Sequence, residues 1–106
     1  TYIDNVIQMN LLALTSENPE AINQVYNTAF GQRATLNDLV ISLKNYLGEY
    51  DPKIKEVRII YGPNRIGDIP HSMASIEKAQ KLLNYQPQFS LQNGLMEAVK
   101  WYWENL

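Results

Sequence analysis

The sequence predicts a small α/β domain of about four helices and two or three short strands. Its 106 residues are 45% hydrophobic, which is the length and apolar content of one domain with its own core. Apolar residues recur at helical spacing in four segments, and two short runs are rich in β-branched and aromatic residues. We therefore treat residues 1–106 as a single domain.

The first two helices are predicted from apolar spacing and from capping residues. Asp4 or Asn5 is placed to cap a helix whose apolar positions continue to Leu14. Pro19 ends this helix, because proline disfavours helical backbone at the residue before it. Residues 35–38 (Thr-Leu-Asn-Asp) resemble a capping box with aspartate in the place of the usual glutamate or glutamine, so a second helix is expected to follow them.

The strands and the last two helices complete the predicted order of elements. Residues 24–30 and 57–61 are short and rich in β-formers, and we expect a strand at each. Ser75 is placed to cap a third helix that continues to about Asn84. Ser90 is placed to cap the fourth helix, in which apolar residues again recur at helical spacing.

Charge and composition exclude several classes of function. Nine basic and eleven acidic residues give a net charge of −2, and the basic residues are spread thinly. Neither a nucleic acid nor a membrane is therefore expected as a partner, and no apolar run approaches the ~18 residues that span a bilayer. The absence of cysteine excludes a disulfide framework and a thiolate nucleophile, which fits a cytoplasmic protein.

The common catalytic and metal-binding motifs are missing from the sequence. His71 is the only histidine, and its neighbour Ser72 cannot easily face it as nucleophile and base. There is no Gly-x-Gly-x-x-Gly and no Gly-Lys-Ser/Thr phosphate loop. We therefore expect no catalytic, cofactor-binding or metal-ligating residue in this chain.

Two loop segments have the composition of binding sites. Arg33 lies just before a predicted helix N-terminus, where backbone N–H groups and the helix dipole favour an anion and the guanidinium adds a bidentate donor. The alternative is a solvated arginine beside a capped helix. In the irregular loop 62–70, Arg65 and Asp68 either pair with each other or act separately. In the second case one holds phosphate and the other accepts hydroxyl protons from a sugar.

Four motifs in a fixed order, with the C-terminal helix, carry a resemblance to a known family. They are Tyr-Ile-Asp-Asn-Val, then Val-Tyr-Asn-Thr-Ala-Phe-Gly-Gln-Arg-Ala-Thr-Leu-Asn-Asp-Leu, then Arg-Ile-Gly-Asp-Ile-Pro-His-Ser-Met-Ala-Ser-Ile-Glu-Lys-Ala, then Leu-Leu-Asn-Tyr-Gln-Pro. Together with the final Gly-Leu-x-x-x-Val-x-Trp-Tyr helix, they resemble the extended short-chain dehydrogenase/reductase family. Within that family they are most similar to bacterial UDP-N-acetylglucosamine 4-epimerases, over essentially the whole chain.

The resemblance implies that the chain is the C-terminal substrate-binding part of such an enzyme. In the family, an N-terminal Rossmann domain binds NAD, and a Tyr-x-x-x-Lys motif with a nearby Ser or Thr performs the acid–base chemistry. These parts are not in this sequence. NAD takes a hydride from sugar C4, and the 4-keto sugar then rotates and receives the hydride on its other face. The start at Thr1 without methionine fits a chain cut from a longer enzyme, and such enzymes are usually homodimers.

The resemblance also implies roles for four residues. Arg65 contacts the UDP diphosphate, Asp68 contacts the ribose hydroxyls, and Arg33 matches the arginine that helps to hold the diphosphate in members active on N-acetylhexosamines. Ser72 matches the residue that limits the size of the sugar, because a tyrosine there leaves room only for plain hexoses. A small residue admits the acetamido group of UDP-GlcNAc and UDP-GalNAc, sugars of polysaccharide biosynthesis. An ordinary loop serine is the alternative for Ser72.

Other functions stay open on the sequence. The same family implies a UDP-glucuronate 4-epimerase or a nucleotide-sugar dehydratase as alternatives. A free-standing module that binds nucleotide sugars or another protein without catalysis is a third. In each enzyme reading the catalytic residues lie outside this chain, so we expect the isolated chain to be inactive and to bind UDP-sugars weakly.

Overall fold

The computed structural model describes residues 1–67 and 73–106. Within these ranges the regular structure is helical, with α1 at Ile3–Thr15, α2 at Leu36–Tyr50, α3 at Glu77–Leu83 and α4 at Leu91–Asn105. Short 3₁₀ turns lie at Pro19–Ala21 and Pro52–Glu56. No helix in the described part of the chain is long and apolar enough to cross a membrane.

The chain divides into two compact units. The first consists of residues 1–32 and 73–94, and the second consists of the described part of 33–72 with residues 95–106. Helices α1 and α3 belong to the first unit, and α2 belongs to the second. The four helices that the apolar spacing predicts are confirmed.

The two predicted strands, 24–30 and 57–61, are wrong, because neither of these described segments forms a β-ladder. A strand requires a neighbouring strand to take its backbone N–H and C=O groups. Side-chain donors reach backbone acceptors here instead, at 3.0 Å from the Tyr85 hydroxyl to the Ala29 carbonyl and at 2.6 Å from Lys44 to the Val57 carbonyl. The described residues are therefore helical with long irregular segments, and the expected α/β class is corrected in this respect.

Local capping chemistry starts α2 and α4 where the sequence predicts. The Thr35 Oγ1 accepts a hydrogen bond from the Asp38 N–H at 3.1 Å, and Oδ2 of Asp38 accepts one from the Thr35 N–H at 2.9 Å. These reciprocal bonds confirm the capping box. The Ser90 Oγ accepts a bond from the Asn93 N–H at 3.2 Å, which confirms the predicted cap of α4.

The start of α1 differs from the prediction. The helix begins at Ile3, and Tyr2 occupies the N-cap position without a side-chain capping bond. Neither Asp4 nor Asn5 is therefore the cap. Sequence spacing alone does not distinguish a polar residue that caps a helix from a polar residue in the first turn of the helix. Asn5 lies in the first turn of α1, and its side chain bonds residues that are distant in the sequence.

The first unit is built around a small apolar core. Its members are buried and come from α1, the first 3₁₀ turn, α3 and the residues flanking α3: Met9, Ala21, Ile76, Ala79, Leu83 and Tyr85. Tyr85 is fully buried, and its hydroxyl donates to the Ala29 carbonyl at 3.0 Å, which satisfies both groups. Burial raises the pKa of this hydroxyl above its ordinary value. Asn84 ends α3 in the left-handed conformation, with φ 55°, at the predicted position of the helix end.

The second unit contains Arg33 and Arg65 of the candidate binding residues, together with α2 and the part of α4 that begins at residue 95. Lys44 on α2 donates to the Val57 carbonyl just after the second 3₁₀ turn, and so fastens the start of the irregular segment that follows. The rings of Tyr50 and Trp103 stack with centroids 5.2 Å apart. Val99 is buried in this part of α4.

Gly94 in α4 packs so closely on Tyr2 that we expect Gly94→Ala to destabilise the protein. An added Cβ lies 2.7 Å from Cβ of Tyr2 and 2.9 Å from its Cγ, and the Tyr2 ring is in contact with Phe89 at 4.8 Å between centroids. Overpacking costs about 1–3 kcal/mol, and the higher helix propensity of alanine offsets about 1 kcal/mol of this. Urea unfolding is expected to show a net loss of about 1 kcal/mol.

Gly62→Ala is the control, because an added Cβ at this glycine has no heavy atom within 4 Å and its φ lies outside the left-handed region. Gly62 is exposed in the irregular segment after the second 3₁₀ turn. The replacement is expected to leave the free energy of unfolding unchanged or to raise it by up to about 1 kcal/mol. An equal loss of stability in Gly94→Ala and Gly62→Ala would contradict the close packing of Gly94 on Tyr2.

Candidate functional site

The capping box of Thr35 and Asp38 begins two residues after Arg33 and places a negative charge at the N-terminus of α2. The Thr35 hydroxyl donates to Oδ2 of Asp38 at 2.7 Å. This bond, with the bond from the Thr35 backbone N–H, holds the pKa of the Asp38 carboxyl below its ordinary value. The positive end of the helix dipole is therefore already complemented by a carboxylate. A second anion bound near this end has to be held by the Arg33 guanidinium rather than by the helix.

Arg33 itself is exposed in the segment between Gly31 and the Thr35 cap. Gly31 has φ 81°, in the left-handed region that favours glycine, and an added Cβ would lie 3.4 Å from Ile76. Gly31 therefore makes a backbone turn two residues before Arg33. Its guanidinium takes no part in the hydrogen bonds and ion pairs formed within the described residues.

Arg65 lies in the irregular segment that follows the second 3₁₀ turn, and it is also exposed. Its neighbour Ile66 is fully exposed, and Gly67 has φ 91°, a conformation that glycine adopts without strain. Arg65 has no hydrogen-bond or ion-pair partner between residues 1–67 and 73–106. Two unpaired guanidinium groups in one unit are available to an anionic ligand, since each carries five donors.

The other two predicted site residues, Asp68 and Ser72, lie outside the described residues. The structure therefore brings Arg33 and Arg65 into the same unit but gives no geometry that joins all four. The alternative in which Arg65 pairs with Asp68 also lies outside the described part. The roles of all four residues stay predictions. No group of three or more potential metal ligands occurs among the described residues.

The structure reveals one polar cluster that the sequence analysis missed. Asn5 is 1% exposed, and its Nδ2 donates to the Phe89 carbonyl at 2.7 Å. Its Oδ1 accepts from the N–H groups of Gln88 and Phe89, both at 3.1 Å. These bonds tie α1 to the segment before α4 within the first unit. The signal in the sequence was a polar residue amid the apolar positions of α1, but its partners lie more than 80 residues away.

An open cleft of about 350 Å³ lies beside this cluster, lined by Asp4, Asn5, Gln8, Gln88 and Phe89. Gln8 donates from Nε2 to the Gln86 carbonyl at 2.9 Å, while its Oε1 is buried without a partner among the described residues. Both bonded amides, Asn5 and Gln8, hold backbone groups of residues 86–89. The described contacts therefore make the cluster part of the framework of the first unit.

Comparison with known proteins finds a class of enzymes to which the chain is similar. The chain is homologous to 4-epimerases of nucleotide sugars, over nearly its whole length and at low identity. No family model matches the sequence. These relatives support the predicted resemblance to nucleotide-sugar 4-epimerases.

The particular relatives come from plants and bacteria. UDP-glucuronate 4-epimerase 4 of Arabidopsis thaliana is 32% identical over 112 residues, covering 96% of this chain and 24% of the relative. UDP-glucuronate 4-epimerase of Thermodesulfobacterium geofontis is 29% identical, covering 100% of this chain and 30% of the relative. dTDP-L-rhamnose 4-epimerase of Burkholderia thailandensis is 26% identical, covering 98% and 26%. The chain thus spans about a quarter of the length of the curated relatives it matches.

Proposed function

We propose that this chain is the C-terminal nucleotide-sugar-binding part of an NAD-dependent 4-epimerase of the extended short-chain dehydrogenase/reductase family. The observation that carries the proposal is the similarity of 96% of the chain to a quarter of a UDP-glucuronate 4-epimerase. The ordered motifs of the sequence agree with it. The lack of a glycine-rich dinucleotide loop and of a Tyr-x-x-x-Lys motif in these 106 residues also agrees, because the proposal assigns both to the rest of the enzyme.

In this proposal the chain orients the substrate, and NAD, held by the rest of the enzyme, accepts and returns the C4 hydride. Arg33 and Arg65 bind the diphosphate oxygens, which suits two exposed guanidinium groups without protein partners in the described residues. Asp68 accepts hydrogen bonds from the ribose hydroxyls. A sugar held only through its nucleotide is free to rotate about the bonds that link it to the diphosphate. An epimerase requires this rotation so that the hydride returns to the opposite face of C4.

We propose UDP-GlcNAc and UDP-GalNAc as the sugars that this enzyme interconverts. The support is the small side chain of Ser72 at the position that resembles the size limit of the family. The second candidate is UDP-glucuronate, and the names of the plant and bacterial relatives favour it. The two candidate substrates make different demands on the pocket. The N-acetyl sugar needs space at C2, and glucuronate needs a hydrogen-bond donor for its C6 carboxylate.

The test is to incubate the full-length enzyme and NAD with UDP-GlcNAc and, in parallel, with UDP-glucuronate, and to follow C4 stereochemistry by proton NMR. Formation of UDP-GalNAc supports the proposed substrate and the role of Ser72. Formation of UDP-galacturonate alone retains the epimerase and assigns it to the second candidate. A dehydrated product identifies a dehydratase, and absence of turnover with tight binding supports a non-catalytic module; either result overturns the proposal.

A further inference from the structure

Helix α1 carries an apolar stripe on the side that faces away from the core of the first unit. The stripe consists of Ile3, Ile7, Leu11 and Leu14, which are 58%, 48%, 56% and 82% exposed. Their spacing of four, four and three residues places them on one helix face over roughly 16 Å. Met9, by contrast, is buried in the core. The helix is therefore apolar on two faces, of which the first unit covers one.

The charges of α1 point to a second covering element. Asp4 is the single charged residue among its 13 residues. A surface helix of a globular protein normally places charged residues opposite its buried face, whereas a helix that is apolar all round is buried. Single exposed aliphatic residues need no explanation, but an aligned stripe of four is a contiguous patch of the kind that marks an interface.

We propose that the apolar stripe of α1 packs against the part of the full-length polypeptide that lies outside these 106 residues. The inference rests on the proposed function, which makes the chain one part of a longer enzyme. The curated relatives are about four times as long as the matched region, so most of such an enzyme is available to cover the stripe.

A second copy of the chain is a less suitable occupant. Four half-exposed aliphatic side chains present roughly 400 Å² of apolar surface, about half of the ~800 Å² that each partner contributes to a standard interface. Docking within one polypeptide avoids this shortfall, because the linked parts meet at a high effective concentration and lose less freedom than separate molecules. The four residues of the stripe are uncharged, and Asp4, the single charged residue of α1, gives only a weak electrostatic term for selecting a separate partner.

Cysteine protection in the full-length enzyme tests the inference. The 106 residues contain no cysteine, so one introduced thiol is unique in this region once thiols elsewhere are replaced. Leu14→Cys reports on the stripe, and Lys81→Cys, exposed on α3 of the same unit, is the control. We expect the Leu14→Cys thiol to react with an aromatic disulfide reagent at least ~50-fold more slowly in the native than in the unfolded enzyme, and the control less than ~5-fold more slowly.

The outcomes separate the occupants and the function. Equal reactivity of Leu14→Cys and Lys81→Cys overturns the inference, and so does protection that is lost on 100-fold dilution, which indicates a second copy. Ile7→Cys is the second reporter and decides the result if Leu14→Cys does not fold. Protection in an enzyme that turns over no nucleotide sugar retains the docking surface and rejects the proposed function. Turnover of a nucleotide sugar without protection of the Leu14→Cys thiol retains the proposed function and rejects the docking surface.

Discussion

Arg65→Ala in the full-length enzyme is expected to raise KM for the nucleotide sugar about 30- to 100-fold, since each charge-assisted bond to a diphosphate contributes about 1.5–3 kcal/mol. The diphosphate is remote from C4 and is held equally before and during hydride transfer. Loss of such uniform binding raises KM and leaves kcat nearly unchanged. Initial rates across a range of substrate concentrations give both constants. Arg33→Ala is expected to change them in the same direction.

The matched control is Arg58→Ala, because Arg58 is an exposed arginine in the same irregular segment without a predicted ligand. It removes the same charge and is expected to change KM less than about 3-fold, through long-range electrostatics alone. Arg65→Lys keeps the charge but loses the planar fork, and it is expected to restore only part of the affinity. If Arg65→Ala and Arg58→Ala raise KM equally, Arg65 does not bind the diphosphate.

Asn5→Leu is expected to lower the free energy of unfolding of this chain by about 3 kcal/mol, because it leaves three partly buried backbone groups without partners. These are the carbonyl of Phe89 and the N–H groups of Gln88 and Phe89, which now bond the Asn5 amide at 2.7–3.1 Å. Leucine has the same branched arrangement of heavy atoms as asparagine, with methyl groups in place of the amide oxygen and nitrogen, and it offers neither donor nor acceptor. Urea denaturation followed by far-UV circular dichroism measures the difference.

Asn10→Leu on the same helix is the control, since Asn10 is exposed and the same replacement there is expected to change stability by less than about 0.5 kcal/mol. Asn5→Asp separates hydrogen bonding from shape. It keeps the acceptor for the two N–H groups but loses the donor to the Phe89 carbonyl and buries a charge, so it is expected to be destabilising as well. A loss below about 1 kcal/mol in Asn5→Leu would contradict the structural role of this amide.

Elements governed by local chemistry were predictable from the sequence. The capping box at 35–38 and the Ser90 cap each depend on residues three positions apart, and both are confirmed by hydrogen bonds. The end of α3 at Asn84 has the same origin, since asparagine tolerates the left-handed backbone that closes a helix. All four predicted helices are present in the described residues.

Elements governed by distant partners were not predictable. Residues 24–30 and 57–61 have the composition of strands, but a strand exists only where another strand pairs with it, and composition does not report that. The local sequence made Asn5 a candidate for the cap of α1, because its partners in the structure lie more than 80 positions along the chain and leave no local signal. For the binding site, physical reasoning alone left solvation or mutual pairing as alternatives at Arg33 and Arg65. Resemblance to a family selected among them, and the structure adds that both arginines are exposed and unpaired within its described residues.

The measurement that tests the central claim most directly follows a deuterium label placed at C4 of UDP-GlcNAc during conversion by the full-length enzyme with NAD. The account predicts a C4-inverted product that keeps the deuterium at C4, because the same hydride leaves and returns while the sugar rotates on its bound nucleotide. The label is read by mass spectrometry and by the missing H4 signal in the proton NMR spectrum. An inverted product that has exchanged its label with solvent, or a turnover product with unchanged C4 stereochemistry, would contradict the assignment to a redox 4-epimerase.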